Sequence, residues 1–201
     1  MEKISTFIFD CFGVIYDPVI YKWYYTNSSK YGFTDDELPN VLRKFDLGIL
    51  GEDDLVDYLS RYKGLNSTKE KILNEIDSYL KIDQNLIYII KQLKQKGFKT
   101  ILLSNGNHHF FERKIFKTNP EFKNLFDEIV ISSLVNMVKP DTEIFLYTLK
   151  QAKSTPQESL FVDDNKDNVD VAVSLGMKGF VYTDILSFDN YIKSIGIDLI
   201  N

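Results

Sequence analysis

The apolar positions of this chain fall into two kinds of pattern. Short runs of four to six residues, most of them nearly continuous in apolar character, occur at Ile4–Phe9, Lys99–Ser104, Glu128–Ser132, Ser159–Asp163 and Gly179–Tyr182. Such runs predict strands buried on both faces, as in a parallel sheet. Between them the period changes to that of a helix. Leu86, Ile89, Ile90 and Leu93 share one face, and Gly97 stops that helix. Phe145, Leu149 and Ala152 repeat the pattern after Pro140, and Val169, Ala172 and Val173 repeat it before Gly176. From about residue 85 onward, strand and helix alternate, which predicts an α/β core with a doubly wound, Rossmann-like parallel sheet.

Residues 18–83 carry helix signals only. Thr34-Asp-Asp-Glu37 reads as a capping box ahead of Leu38, Val41, Leu42 and Phe45. Leu55, Tyr58, Leu59 and Tyr62 make a second face. Ser67-Thr-Lys-Glu70 reads as another capping box, opening Ile72, Leu73, Ile76 and Leu80. The expected organisation is therefore a core of residues 1–17 and 84–201 with a small all-helical cap, 18–83, inserted after the first strand. An insertion at that point lies over the carboxyl ends of the strands, where open α/β sheets bind ligands.

Composition narrows the classes without choosing one. The 201 residues are 44% apolar and 26% charged, with a net charge of -5. Acids and lysines are interspersed, so no basic face for nucleic acid is visible. No secretory leader and no 18-residue apolar stretch can be read, so no membrane partner is expected. The single cysteine, Cys11, fits a reducing compartment, and a cytoplasmic location is the expectation. Beside Asp10 its thiol can be reactive, but a buried inert thiol is the simpler reading.

The chemistry lies at the strand ends. The first run ends on Asp10, the second on Ser104-Asn105-Gly106, the third leads through Ser132 and Ser133 to Lys139-Pro140-Asp141, and the fourth ends on Asp163-Asp164. In a parallel sheet these ends share one edge. Taken singly, each has a plain structural reading: a turn acid, a turn tripeptide, a solvated lysine before a proline at a first helical position, a helix N-cap. Together they offer a phosphoryl-transfer site. A carboxylate at Asp10 can attack phosphorus. Asp10, Asp164 and a backbone carbonyl near Phe12 can hold Mg²⁺, which prefers oxygen ligands. Lys139 can neutralise one phosphate oxygen, and Ser104 with the amides around Asn105 and Gly106 can donate to another. His108 and His109 have no metal-ligand spacing. They read as residues of the helix start or of the surface, with His108 near the pocket mouth as a further option. Of the aromatic run Tyr21, Trp23, Tyr24 and Tyr25, most are expected in the core and one or two toward the pocket.

With FIFDCFGV, LLSNG, Lys139-Pro140 and FVDDNKDNV followed by LGM in hand, the chain resembles the haloacid dehalogenase (HAD) superfamily over about residues 4–183. The helical insert is similar to that family's C1-type cap, and the paired Asp resembles the phosphatase branch. The resemblance implies a Mg²⁺-dependent phosphatase acting on a small phosphorylated metabolite, with Asp10 as nucleophile. It implies phosphate contacts from Ser104, Asn105 and Lys139, and metal ligation by Asp10, the Phe12 carbonyl and Asp164. Asp163 would orient the metal's waters or Lys139, and Asn168 stands where many relatives place another acid. One departure matters. Family phosphatases commonly carry a second Asp two residues after the nucleophile as acid and base, and here that residue is Phe12. Two other readings follow: a metal-independent 2-haloacid dehalogenase, whose relatives carry an aromatic residue at that position and an early cap Arg, or a HAD-fold binding protein with little turnover.

Overall fold

The computed structural model of the protein describes residues 3–32, 37–61 and 67–199. Five parallel strands run in the order β3-β2-β1-β4-β5: β1 Thr6–Phe9, β2 Lys99–Ser104, β3 Glu128–Ile131, β4 Ser159–Asp163 and β5 Lys178–Val181. The expected α/β fold and helical insertion are as the pattern predicts. β1, β2 and β4 form the buried centre, and β3 and β5 are the half-covered edges, so Val181 is 38% exposed. Ser132 leaves the sheet to begin a short helix, α7 (Ser132–Val135), because the edge strand ends at Ile131.

Alternation along the strands divides the core. Phe7, Phe9, Leu102 and Val162 face one side, under α5 (Gln84–Gln95) and α10 (Ile185–Ser194). Ile8, Ile101, Leu103 and Phe161 face the other, under α8 (Thr142–Ala152) and α9 (Lys166–Ser174). Two details of the predicted helices change. Val169 and Ala172 are buried on α9 while Val173 is half exposed, as its position sits at the rim of the edge strand. Pro140 is not in a first helical position: α8 begins at Thr142 behind its N-cap Asp141.

Between β1 and β2 lie α1 (Val19–Tyr31), α2 (Leu38–Asp46), α3 (Glu52–Leu59) and α4 (Lys69–Asp77), ahead of α5. Their apolar faces form a cluster of their own around Trp23, Leu42, Phe45, Leu59 and Ile72. Thr34–Asp36 of the first expected capping box, and Tyr62, lie outside the described residues. The second box is shifted by one: Thr68, not Ser67, caps α4, its hydroxyl accepting from the Lys71 N–H. No described helix is long and apolar enough to cross a membrane.

The helices are fastened to the core by charge as well as by apolar contact. The stretch after β2 runs from α6 (His108–Phe110) into a π-helical turn, Phe111–Phe116. From it Arg113 reaches Glu52 of α3 at 2.5 Å and Asp77 of α4 at 2.7 Å, and Lys114 also meets Asp77 at 2.7 Å. Asp77 is 6% exposed, so loss of its arginine strands a buried acid. Arg113→Ala should therefore lower stability by about 2 kcal/mol. This is below the usual cost of breaking a buried pair, because the guanidinium is 34% exposed and Lys114 remains. Denaturant unfolding measures it, and an unchanged midpoint would show that the contact contributes nothing.

Candidate active site

β1 delivers Asp10 to the carboxyl edge of the sheet, where its N–H donates to the Val162 carbonyl at 2.9 Å. One strand away β4 ends on Asp163. Between the two carboxylates stands the ammonium of Lys139, 2.7 Å from Asp10 and 2.6 Å from Asp163. The lysine side chain is 1% exposed. A plain solvated lysine is thereby ruled out. Asn105 holds its backbone on both sides: the Asn105 amide donates to the Lys139 carbonyl at 2.9 Å and its oxygen accepts the Lys139 N–H at 2.8 Å. Burial works against the ammonium, but the two carboxylates more than offset it and raise the lysine above its ordinary pKa.

Asp163 has its acceptor sites filled. Besides Lys139 it takes the Asn165 N–H at 2.8 Å and both oxygens meet the Asn168 amide at 3.1 Å. Asn168, buried on α9, thus supports Asp163. The helix cap expected of Asp163-Asp164 is supplied by Asn165, which accepts from Asp167. Asp164 is the exposed member of the trio, and one carboxylate oxygen each from Asp10, Asp163 and Asp164 lies within 4.8 Å of the others. Three carboxylates against one lysine leave an excess of negative charge and a set of oxygen donors, which fits a hard divalent cation. With Asp163 engaged on every side, Asp10 and Asp164 are the donors best placed to hold it. Burial pushes the Asp10 carboxyl up, with Lys139 opposing and Asp163 and Asp164 adding. Asp164 is raised too, by burial and by Asp163.

Gly13 makes this approach possible. Its φ is +101°, and a Cβ there would stand 2.2 Å from the Asp164 Oδ2. Phe12, just before it, packs its ring on Phe110 and Phe111, at 5.9 and 5.5 Å between ring centres. Cys11 is fully buried, and burial with the nearby Asp10 drives its thiol well above the ordinary value, so it is not a reactive group.

A cavity of about 250 Å³ opens above this floor. Asp10, Lys139, Asp163, Asp164, Asn105, Gly106 and Asn168 line it from the core, and Phe12 and Phe110 from beside them. Val19, Ile20, Tyr21, Leu42, Phe45 and Asp46 line it from the helical insert. Ser104 is placed differently: it is fully buried, outside the lining, and its hydroxyl donates to the Asn105 carbonyl at 3.0 Å. It must rotate to reach a phosphate oxygen. His108 does not line the cavity, and neither histidine caps the helix there: Asn107 does, accepting from the His109 N–H. Of the aromatic run, Trp23 and Tyr24 are buried, Tyr25 is exposed and Tyr21 alone reaches the cavity.

Asp46 and Asn107 are not distinguishable in the sequence as site residues, whereas Ser132 stands at the end of the third strand run. The Ser132 hydroxyl donates to the Asp46 carbonyl at 2.5 Å and accepts from the Gly106 N–H at 2.9 Å. Asn107 donates to the carbonyls of Phe45 and Leu50 at 3.4 and 3.1 Å. The one local signal was the Gly48 and Gly51 pair marking a loop between helices.

Residues 4–176 match the family model of haloacid dehalogenase-like hydrolases. The sesquiterpene phosphatase of Aspergillus oryzae is 30% identical over 72% of this chain and 73% of its own length. The D-ribitol-5-phosphate phosphatase of Bacteroides thetaiotaomicron is 28% identical over 70% of each. Four longer curated relatives are matched over only 22% or less of their length. Among solved structures, the magnesium complex of an enzyme from B. thetaiotaomicron superposes with a TM-score of 0.74 at 21% identity, covering 90% of this chain and 94% of the other.

Gly13→Ala should weaken Mg²⁺ binding about 10–100-fold, the range typical of disturbed ligand supports, because the new methyl displaces Asp164. Calorimetric titration with Mg²⁺ measures it. An unchanged affinity would remove Asp164 from the metal site.

Proposed function

We propose that this chain, which belongs to the haloacid dehalogenase-like hydrolase family, is a Mg²⁺-dependent phosphatase of a small phosphorylated metabolite, working through an aspartyl-phosphate on Asp10. The observation that carries this reading is the convergence of Asp10, Asp163 and Asp164 around one buried lysine at the floor of a cavity. Phosphatases among the relatives support it.

In this mechanism the phosphoryl group enters between Asp10 and the 104–106 loop. Lys139 keeps one Asp10 oxygen fixed and offsets charge on the phosphoryl oxygens. The backbone N–H groups around Asn105 and Gly106 donate to another of those oxygens, and Ser104 joins them once its hydroxyl turns from the Asn105 carbonyl. Asp163, locked by Asn165 and Asn168, holds Lys139 at the height of Asp10. Mg²⁺, held by Asp10, Asp164 and the Phe12 carbonyl, would supply the positive charge that lets two anions meet. The free Asp10 oxygen attacks phosphorus and the ester oxygen departs on the opposite, cap-facing side. Water entering from that side then releases phosphate.

The cap presents Val19, Ile20, Leu42 and Phe45 to the space where the organic part would lie, so a substrate with apolar surface is favoured over a fully hydroxylated one. The sesquiterpene phosphatase among the relatives is consistent with that chemistry. The dehalogenase alternative lacks its cation: Arg43, the first arginine of the insert, pairs with Asp141 at 2.7 Å, and among the described residues no arginine lines the cavity.

Asp10→Asn should abolish Mg²⁺-dependent phosphate release from p-nitrophenyl phosphate. Release at the unaltered rate would refute the assignment. Halide release from a 2-haloacid in the presence of a chelator would favour the dehalogenase instead.

A further inference from the structure

An aspartyl-phosphate mechanism has two protons to move. The departing ester oxygen needs one, and the attacking water must lose one. Both oxygens occupy the same apical position in turn, because displacement is in line and Asp10 holds the opposite face. A group serving both must therefore face phosphorus from the cap side. The residue two places after Asp10 is an aromatic ring packed on Phe110 and Phe111, with no proton to give.

Four acids line the cavity: Asp10, Asp46, Asp163 and Asp164. Asp10 is the nucleophile. Asp163 is saturated by Lys139, Asn165 and Asn168, and Asp164 belongs to the cation. Neither histidine is among the lining residues. Asp46 remains, and it is the only one of the four that comes from the insert. It closes α2 at the point where the chain turns toward α3.

Its placement is built. The Ser132 hydroxyl joins the Asp46 carbonyl to the Gly106 N–H, so the acid is registered against the loop beside the phosphoryl site through a single side chain. Asn107, from the same loop, holds the carbonyls of Phe45 and Leu50 on either side of it. Gly48 lies against Ser133, where a Cβ would meet the serine at 3.1 Å, so the loop sits tightly on the core. Among the described residues no hydrogen bond reaches the Asp46 carboxylate.

Resting on the reading of Asp10 as the phosphoryl acceptor, we propose that Asp46 is the general acid and base of this enzyme, delivered by the cap in place of the residue that Phe12 displaces. In the first step the Asp10 carboxylate oxygen bonds to phosphorus, the P–O ester bond breaks, and the proton on Asp46 passes to the departing oxygen. The alcohol leaves. In the second, the Asp46 carboxylate takes a proton from water as the water oxygen bonds to phosphorus. The P–O bond to Asp10 breaks and phosphate leaves, with Asp46 protonated again.

The charged surroundings suit the assignment. Burial pushes Asp46 up to about 7, against the pull of Lys139 and of Arg43. Arg43 is itself paired with Asp141, and Tyr21 of α1, which also lines the cavity, is raised by burial and then by Asp46. A group with this pKa is protonated often enough near neutral pH to donate and is basic enough to accept. The proton is present below about 7, so the first step should fail as pH rises through that value.

The test compares kcat/KM, which reports the steps up to release of the alcohol, on an alkyl phosphate and on p-nitrophenyl phosphate. Asp46→Asn should cost the alkyl phosphate about 10²-fold or more, and the aryl phosphate, whose leaving group needs little protonation, under about tenfold. The alkyl profile should lose its decline above pH 7 in the same variant. Phe12→Asp combined with Asp46→Asn should restore part of the alkyl activity, since position 12 also lines the cavity and returns an acid to its wall beside the apical oxygen. A thermal melt of each variant separates misfolding from chemistry. Equal losses on both substrates in a folded Asp46→Asn protein, or a wild-type alkyl profile unaltered by the change, would overturn the proposal. Aryl phosphate turnover that survives Asp10→Asn would instead overturn the reading on which it rests.

Discussion

The ammonium of Lys139 lies between the carboxylates of Asp10 and Asp163, at 2.7 and 2.6 Å, with all three side chains shielded from water. Removing such charges from solvent is unfavourable unless each is matched and hydrogen-bonded. The surroundings meet that demand group by group. Asn168 and the Asn165 N–H complete Asp163, Asn105 fixes the lysine backbone from both sides, and β1 and β4 bring the two acids to neighbouring strand ends. The parallel sheet is what makes the arrangement available, since it places four strand ends on one edge. One lysine cannot balance three acids, and the negative charge left over is what a bound cation would neutralise before a phosphoryl group could approach.

How much of this could be seen beforehand depended on whether the signal was local. Each of the five strands was legible as an apolar run, because burial in a parallel sheet removes polar residues from both faces. Boundaries moved by one or two residues where an edge strand or a cap decided them, as at Ser132 and Thr68. The acids were legible too, since each stands at a strand end, and the lysine was legible from its place before Pro140 in the segment that follows β3. The partners of those groups were less so. That Asn168 serves Asp163, or that Ser104 turns to the Asn105 carbonyl, follows from side-chain directions that sequence spacing leaves open. Asp46 was hidden for a different reason. It gains its meaning from Ser132, 86 residues away, and from how a helical insert settles on the core.

Phe12 illustrates how a residue can leave the chemistry and enter the packing. The main chain at this position still lies beside the acids, and Gly13 still opens the space that Asp164 occupies. The side chain has joined the aromatic group of Phe110 and Phe111, close enough to Gly106 that a Cβ there would stand 3.3 Å from its ring. The ring therefore shapes the wall of the cavity and the path of the 104–106 loop together.

The same ring packs against the core cluster and against the cluster of the insert, and Leu80 does likewise at the other end of the inserted segment. Apolar residues shared at both crossings lose contacts on each side when either interior opens. With Arg113 tying Glu52 and Asp77 to the core, the insert is bound to the sheet at several separate places. Phe12, Leu80 and Arg113 thus couple the insert's order to that of the core, the 104–106 loop included.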